Sequence, residues 1–265
     1  MEIWEAILLG VVQGLTEFLP VSSSGHLELG KAILGIQDAG LAFSVVVHGA
    51  TALSTIVVFR KDILRLVMDL PGASVEGTEA RTFAAYVLLS MVPLAVVYVG
   101  FMDDLEARLD GHIEAVGAAL MVTGGLLFWA HRSGRRGGRL GWLSVFLIGC
   151  AQAVAVLPGI SRSGATISAA LLIGIDRSEA ARFSFLMVLP PILGATALEV
   201  VDLIREPALL SSVSATALFA AALAAFFSGL WACQTMINLV KRNGFLGFAI
   251  YCALIGAIAL GLSCI

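Results

Sequence analysis

Charge is what this sequence has least of. Of its 265 residues, 13% are Asp, Glu, Lys or Arg, about half the share of an ordinary soluble domain. The formal net charge of −3 excludes a general basic field, so no nucleic-acid partner is expected. Cysteine is sparse as well. Cys150, Cys233, Cys252 and Cys264 stand within or at the ends of apolar runs, without metal-ligand spacing. They read as small buried hydrophobes and argue for neither a cysteine metal site nor a disulfide framework. The N-terminus, Met1-Glu-Ile-Trp-Glu5, lacks the positive region of a signal peptide. Its first apolar stretch is therefore expected to be retained.

What fills the chain is apolar: 59% of residues are hydrophobic and the mean hydropathy is +0.97. Runs of roughly 20 apolar residues recur, the length that crosses a hydrocarbon core about 30 Å thick. An all-α integral membrane protein follows. Residues 1–265 form one membrane domain, in which the segment from Arg60 to Arg81 is the longest polar connection.

The sequence repeats itself. Gln13-Gly-Leu-Thr-Glu-Phe-Leu-Pro-Val-Ser-Ser-Ser-Gly25 stands opposite Gln152-Ala-Val-Ala-Val-Leu-Pro-Gly-Ile-Ser-Arg-Ser-Gly164, with Gln, two Ser and Gly in register and the proline displaced by one. Phe43-Ser44 answers Phe183-Ser184, and Gly49-Ala-Thr-Ala-Leu53 recurs letter for letter as Gly194-Ala-Thr-Ala-Leu198. An ordered series of this kind predicts a duplication, with repeat one at 1–135 and repeat two at 136–265. Each half begins with an apolar arm (3–19; 141–157), a Pro/Ser/Gly loop and a short arm (27–36; 162–174). Three longer apolar segments follow: 41–59, 83–100 and 112–131, then 183–203, 214–240 and 244–264.

The first short arm covers only about 15 Å as a helix and cannot cross. Either both arms form a re-entrant hairpin and the halves are inverted, or the long arm crosses alone and the halves are parallel. Positive charge, which collects in cytoplasmic loops, decides between them. The hairpin arrangement gathers Arg60, Lys61, Arg65, Arg81, Arg132, Arg135, Arg136, Arg139, Arg177, Arg182, Lys241 and Arg242 on one side. It leaves Lys31, Arg108 and Arg205 on the other. The alternative spreads them more evenly. The expected fold is therefore an inverted-topology repeat, each half a re-entrant helix hairpin plus three transmembrane helices. Both termini lie outside the cytoplasm, as does the acidic loop with Asp103, Asp104, Glu106 and Asp110. Inverted repeats with broken helices bring their polar loops together near the midplane, where irregular backbone must line a wet cavity or be buried in protein.

Those loops carry the candidate chemistry. Gln13 and Glu17, four apart, share one helix face. A carboxylate in an apolar stretch usually faces a cavity, so Glu17 reads as a hard oxygen donor for a divalent cation, with Gln13 a weaker neutral ligand. Ser22, Ser23, Ser24, Gly25 and His26 follow. Serines beside a short helix serve equally well as N-caps or in chemistry, whereas His26 is suited to proton exchange near neutral pH. In the second loop, Pro158-Gly159-Ile160-Ser161-Arg162-Ser163-Gly164-Ala165-Thr166, Arg162 is the one arginine expected at membrane depth. Its planar fork suits phosphate, and the glycines let backbone N–H groups approach an anion at a helix N-terminus. A structural pair with Glu17 is the other reading of Arg162, and the two can alternate. His48, within a span, reads as a helix-packing histidine, and Glu199 and Asp202 as solvated residues at a helix end.

Together these stretches resemble the undecaprenyl-diphosphate phosphatase family, the bacitracin-resistance proteins. Gln13 to Glu17 is similar to that family's Glu/Gln-x-x-x-Glu motif, running into Phe18-Leu-Pro-Val-Ser-Ser-Ser-Gly-His26. Pro158 to Thr166 is similar to its Pro-Gly-x-Ser-Arg-Ser-Gly-x-Thr throughout. The resemblance covers essentially the whole chain. It implies hydrolysis of the terminal phosphate of undecaprenyl diphosphate, giving the lipid monophosphate carrier of cell-wall synthesis. A divalent cation, Mg²⁺ or Ca²⁺, would assist on the outer side of a bacterial inner membrane. By motif position, Glu17 and Gln13 would manage the metal, and Ser23 or Ser24 would be nucleophile or position a water. His26 would be acid and base, while Ser161 and Arg162 would hold phosphate, with Ser22, Gly25, Gly159, Ser163 and Thr166 completing the binding loops. Gln13 is the neutral option at its position, which leaves Glu17 as the motif's one carboxylate. Ser44 stands where relatives often carry an acid. The rival reading is a lipid or anion transporter, since inverted repeats meeting at broken helices also build carriers. The oligomeric state, a homodimer included, stays open.

Overall fold

The computed structural model describes residues 1–36, 39–109, 112–134, 137–206 and 213–262. The side chains of Asp103, Asp104, Glu106 and Arg108, and residues Asp110, Arg135, Arg136 and Cys264, fall outside that description. Among the described residues every regular element is helical. In chain order these are α1 (Ile3–Phe18), α2 (Ser23–Leu34), α3 (Leu41–Val58), α4 (Arg60–Asp69), α5 (Val75–Leu109) and α6 (Ile113–Arg132). Then come α7 (Trp142–Val154), α8 (Arg162–Leu172), α9 (Arg177–Met187), α10 (Leu189–Arg205), α11 (Ala215–Lys241) and α12 (Leu246–Leu262). α3, α5, α6, α11 and the joined α9–α10 are long and apolar enough to cross a membrane. α12, with 17 residues, sits at the lower limit of a crossing helix. The fold is that of a multi-pass membrane protein.

Two stretches differ from their sequence expectation. The polar connection 60–81 is not a loop throughout, because it contains α4, with Arg60, Lys61 and Asp62 in its first turn. The span expected at 183–203 is divided at Val188, where Pro190 and Pro191 open α10. Proline removes a backbone donor and crowds the preceding turn, so α9 must end there. Where caps exist they are polar and local. Asp176 accepts from Ser178 N and Glu179 N at the start of α9, and Ser214 accepts from Ala217 N at the start of α11, satisfying backbone donors that a helix start leaves open.

Small residues set the closest helix contacts, as they do where dispersion and not the hydrophobic effect drives association. α1 packs along α11, where a Cβ on Gly10 would meet Ala221 O at 2.6 Å. α7 packs along α5, where a Cβ on Gly149 would meet Ser90 O at 2.5 Å. α6 and α12 lie against each other.

Contacts at one end of the bundle join distant loops. Gly138 N donates to Gly174 O at 3.1 Å and Asp176 N to Gly138 O at 2.8 Å, so the residues just before α7 lie against those just after α8. Asn243 Nδ2 donates to His131 O at 2.9 Å, and Arg182 pairs with Asp62 at 2.8 Å. Arg182 also lies over the Phe83 ring, 4.9 Å from its centroid.

Candidate active site

Gln13 and Glu17 stack one turn apart at the end of α1, and Leu19 and Pro20 close the helix immediately after them. The chain then enters the first serine loop. Ser22 takes φ 72°, the left-handed region that costs a side-chain-bearing residue free energy. Its hydroxyl accepts from Gly25 N at 3.3 Å and lies 3.2 Å from Ser24 Oγ. The second loop repeats this arrangement: Ser161 Oγ accepts from Gly164 N at 3.1 Å and lies 3.3 Å from Ser163 Oγ. The shared Ser-x-Ser-Gly is therefore the N-cap of α2 in one half and of α8 in the other. The loops touch directly, since a Cβ on Gly25 would lie 3.2 Å from Gly159 Cα. Gly159 has φ 95°, and its carbonyl accepts from Thr123 Oγ1 at 3.0 Å.

Glu17 is the hub. Its Oε2 accepts from Ser23 Oγ at 2.7 Å and from Gln13 Nε2 at 3.0 Å. Its Oε1 faces Arg162 Nη2 at 3.6 Å, with the Glu17 side chain 8% exposed and Arg162 34% exposed. That separation is too long for a direct hydrogen bond, so the guanidinium keeps donors for a second anion. Glu17, Ser22, Ser23, Ser24, Ser161 and Arg162 line one cavity of about 460 Å³. The first turns of α2 and α8 open onto it, two helix N-termini that favour negative charge. Its far wall is apolar, built from Leu94, Tyr98 and Val99 of α5 and Ile192, Ala195 and Leu198 of α10. Val99 and Leu198 are exposed to the surroundings of the bundle.

Several expected site residues stand elsewhere. Gly25, Gly159, Ser163 and Thr166 shape the loops without lining this cavity. Ser163 Oγ reaches toward Leu19 O at 3.4 Å, and Thr166 Oγ1 donates back to Arg162 O at 2.8 Å. His26 is also outside the lining. Its Nδ1 is 2.8 Å from Ser22 O and its Nε2 2.8 Å from Tyr251 Oη, so both ring nitrogens are engaged. Gln13 is fully buried; its nitrogen faces Glu17 and its oxygen has no partner among the described residues. It braces the carboxylate from behind.

The cavity is also lined by residues to which the sequence assigned no part in the site. Gln152, which aligns with Gln13 in the repeated motif, is 2% exposed, lines the cavity and leaves both side-chain polar atoms without a partner among the described residues. His48 and Glu199, read from sequence as packing and solvated residues, both line it. The repeat register could have flagged Gln152; nothing in the sequence alone placed His48 beside the loops.

Among the described residues no three His, Cys, Asp or Glu side chains cluster as a metal cage. One buried carboxylate with hydroxyls beside it suits a hard cation carried in with phosphate oxygens, the usual manner for Mg²⁺.

A family model described as bacitracin resistance protein BacA matches residues 6–258. A protein of Christiangramia forsetii named undecaprenyl-diphosphatase is 48% identical over 263 residues, covering 98% of each chain. One of Bacteroides fragilis with the same name is 43% identical across 99% of each chain. Another of Salinibacter ruber, also so named, is 40% identical across 98% of each.

Proposed function

Because the chain belongs to the bacitracin resistance protein family, we propose that it is an undecaprenyl-diphosphate phosphatase, a phosphoric-anhydride hydrolase. The observation that carries this is the meeting of Ser23, Glu17 and Arg162: a hydroxyl bonded at 2.7 Å to a carboxylate that faces a guanidinium at 3.6 Å. A nucleophile, its base and a phosphate clamp occupy one cavity. A carrier would use the arginine but has no need of a serine held on a buried carboxylate, which favours the hydrolase over the transporter reading.

The substrate's diphosphate enters between the two loops, and its prenyl tail lies along the apolar wall between α5 and α10. Arg162 and the first-turn N–H groups of α8 hold the terminal phosphoryl group. Ser23 Oγ attacks its phosphorus and passes its proton to Glu17 Oε2. The bond to the bridging oxygen breaks, and lipid monophosphate departs with the electron pair. Water then releases orthophosphate from Ser23. Positioning and charge stabilisation supply most of the rate in such reactions. Gln13 fixes the Glu17 rotamer, and His26 holds the Ser22 carbonyl so that the strained turn presents Ser23. A divalent cation, Mg²⁺ or Ca²⁺, would be held by Glu17 and the diphosphate oxygens, and it would neutralise charge there.

The same reading includes the inverted repeat, with halves 1–135 and 136–265 each starting in a re-entrant hairpin. Two observations support it. The α1–α11 pair has its counterpart in α7–α5. The bonds between Gly138 and Gly174 and between Asp62 and Arg182 hold together segments that a crossing α7 would leave on opposite faces. On this topology the arginine-rich end is cytoplasmic, both termini and the cavity mouth face outward, and the protein sits in a bacterial inner membrane.

The test is orthophosphate release from undecaprenyl diphosphate by purified protein in detergent with Mg²⁺ present. Wild type should turn over and Ser23→Ala should lose at least about a hundred-fold. No release by wild type, with uptake of intact lipid diphosphate into vesicles, would transfer the site to the transporter class.

A further inference from the structure

α3 and α10 carry the two letter-for-letter copies of Gly-Ala-Thr-Ala-Leu, at 49–53 and 194–198. The copies pack on one another, since a Cβ on Gly49 would touch Thr196 Cγ2 at 3.7 Å. His48 immediately precedes the first copy and Glu199 immediately follows the second. Their packing therefore brings an imidazole and a carboxylate to the wall of the cavity that holds Ser23 and Arg162.

The hydrogen bonds of His48 fix its tautomer. Nδ1 lies 2.9 Å from Ser44 O and 3.2 Å from Ser44 Oγ. A carbonyl oxygen only accepts, so Nδ1 carries the hydrogen and Nε2 is left with a lone pair. No described residue occupies that lone pair. His26 is the opposite case. Its Nδ1 donates to Ser22 O and its Nε2 accepts from Tyr251 Oη, so it has no lone pair to offer a water. The charges that reach His48 are Glu17 from α1 and Glu199 from α10. Behind these stand Arg162 on Glu17 and Asp202 beside Glu199.

We propose that His48 is the general base for the water that completes the hydrolysis, and that Glu199 is its charge partner. The step rests on the phosphatase reading above. The water oxygen bonds to the phosphorus held on Ser23 and gives its proton to His48 Nε2. The phosphorus–Oγ bond breaks with its electron pair on Oγ, which recovers the proton that Glu17 took in the first half. His48 then returns its proton to solvent at the cavity mouth. Ser44, which orients the ring, is a positioning residue.

A general base contributes about 10²–10⁴-fold, so His48→Gln should lower kcat for undecaprenyl diphosphate by roughly a hundred-fold or more. KM should fall with kcat, leaving kcat/KM within about three-fold of wild type, because only the second half of the reaction is slowed. Single turnover should show the phosphoserine of Ser23 accumulating, because only its breakdown is slowed. His48→Ala should regain rate with added imidazole and not with pyrazole, a ring of the same size that is feebly basic. Glu199→Gln, at a partly exposed position on α10, should lower kcat about ten-fold and serves if neither His48 variant folds. His48→Gln within about three-fold of wild type, or equal rescue by imidazole and pyrazole, would overturn the assignment. So would an unchanged kcat in Glu199→Gln where that variant alone folds. A wild type that releases no phosphate at all is a different result, and it removes the phosphatase reading itself.

Discussion

Arg162 and Glu17 form a pair whose structural and chemical roles can be separated. At 3.6 Å, two unit charges attract by about 4–5 kcal/mol at an effective dielectric constant near 20. Arg162 is 34% exposed, so solvent screening reduces this, and we take roughly 2–3 kcal/mol as the net cost of losing the cation. Ser23 and Gln13 still donate to the stranded carboxylate, which keeps the loss below that of an isolated buried charge. For a chain of 265 residues, Arg162→Met should lower the thermal midpoint in detergent by about 5–10 °C. Adding Glu17→Gln removes the stranded charge, and the double variant should recover most of that fall. Activity behaves differently. Arg162→Met should lose about a thousand-fold or more, as expected for an arginine on a transferring phosphoryl group, and the double variant should recover none of it. The assays are scanning fluorimetry and orthophosphate release on the same preparations. A double variant as labile as Arg162→Met would refute the pairing; a single variant keeping a tenth of wild-type activity would refute the clamp.

Gln152→Leu replaces a buried amide that has no protein partner, so stability should hold or rise by up to about 1 kcal/mol while KM for the diphosphate increases; melting and steady-state kinetics check both. Gly159→Ala places a methyl group against Val116 O, 2.5 Å from the added carbon, at φ 95°. It should cost about 2 kcal/mol or more and lower expression and melting temperature together. Chelation by EDTA should abolish phosphate release and leave the melting temperature within about 2 °C, because Glu17 keeps Arg162, Ser23 and Gln13 as partners without a cation. Restoration by Mg²⁺ or Ca²⁺ reports which ion the site accepts.

The first loop was legible because its residues act on close neighbours. Gln13 and Glu17 are one helical turn apart, and their bond follows from that period. Ser22 and Ser161 cap the helices that begin beside them, which is why the two loops share Ser-x-Ser-Gly. His26 depends on more than that locality. Its residue type suits proton transfer, but Tyr251 of α12, far along the chain, occupies the nitrogen that chemistry would need.

The sequence by itself determined where the chain is apolar, where most of its helices lie, that its motifs recur in order, and which two loops hold the polar groups. These follow from periodicity, composition and local capping, each of which acts within a few residues. Only the tertiary structure decided that Glu17 faces Arg162, that the twin Gly-Ala-Thr-Ala-Leu segments stack, and that His48 thereby joins the lining of the cavity. Such pairings depend on which helix surfaces meet in space, and small residues such as Gly10, Gly49 and Gly149 permit that approach without naming their partners.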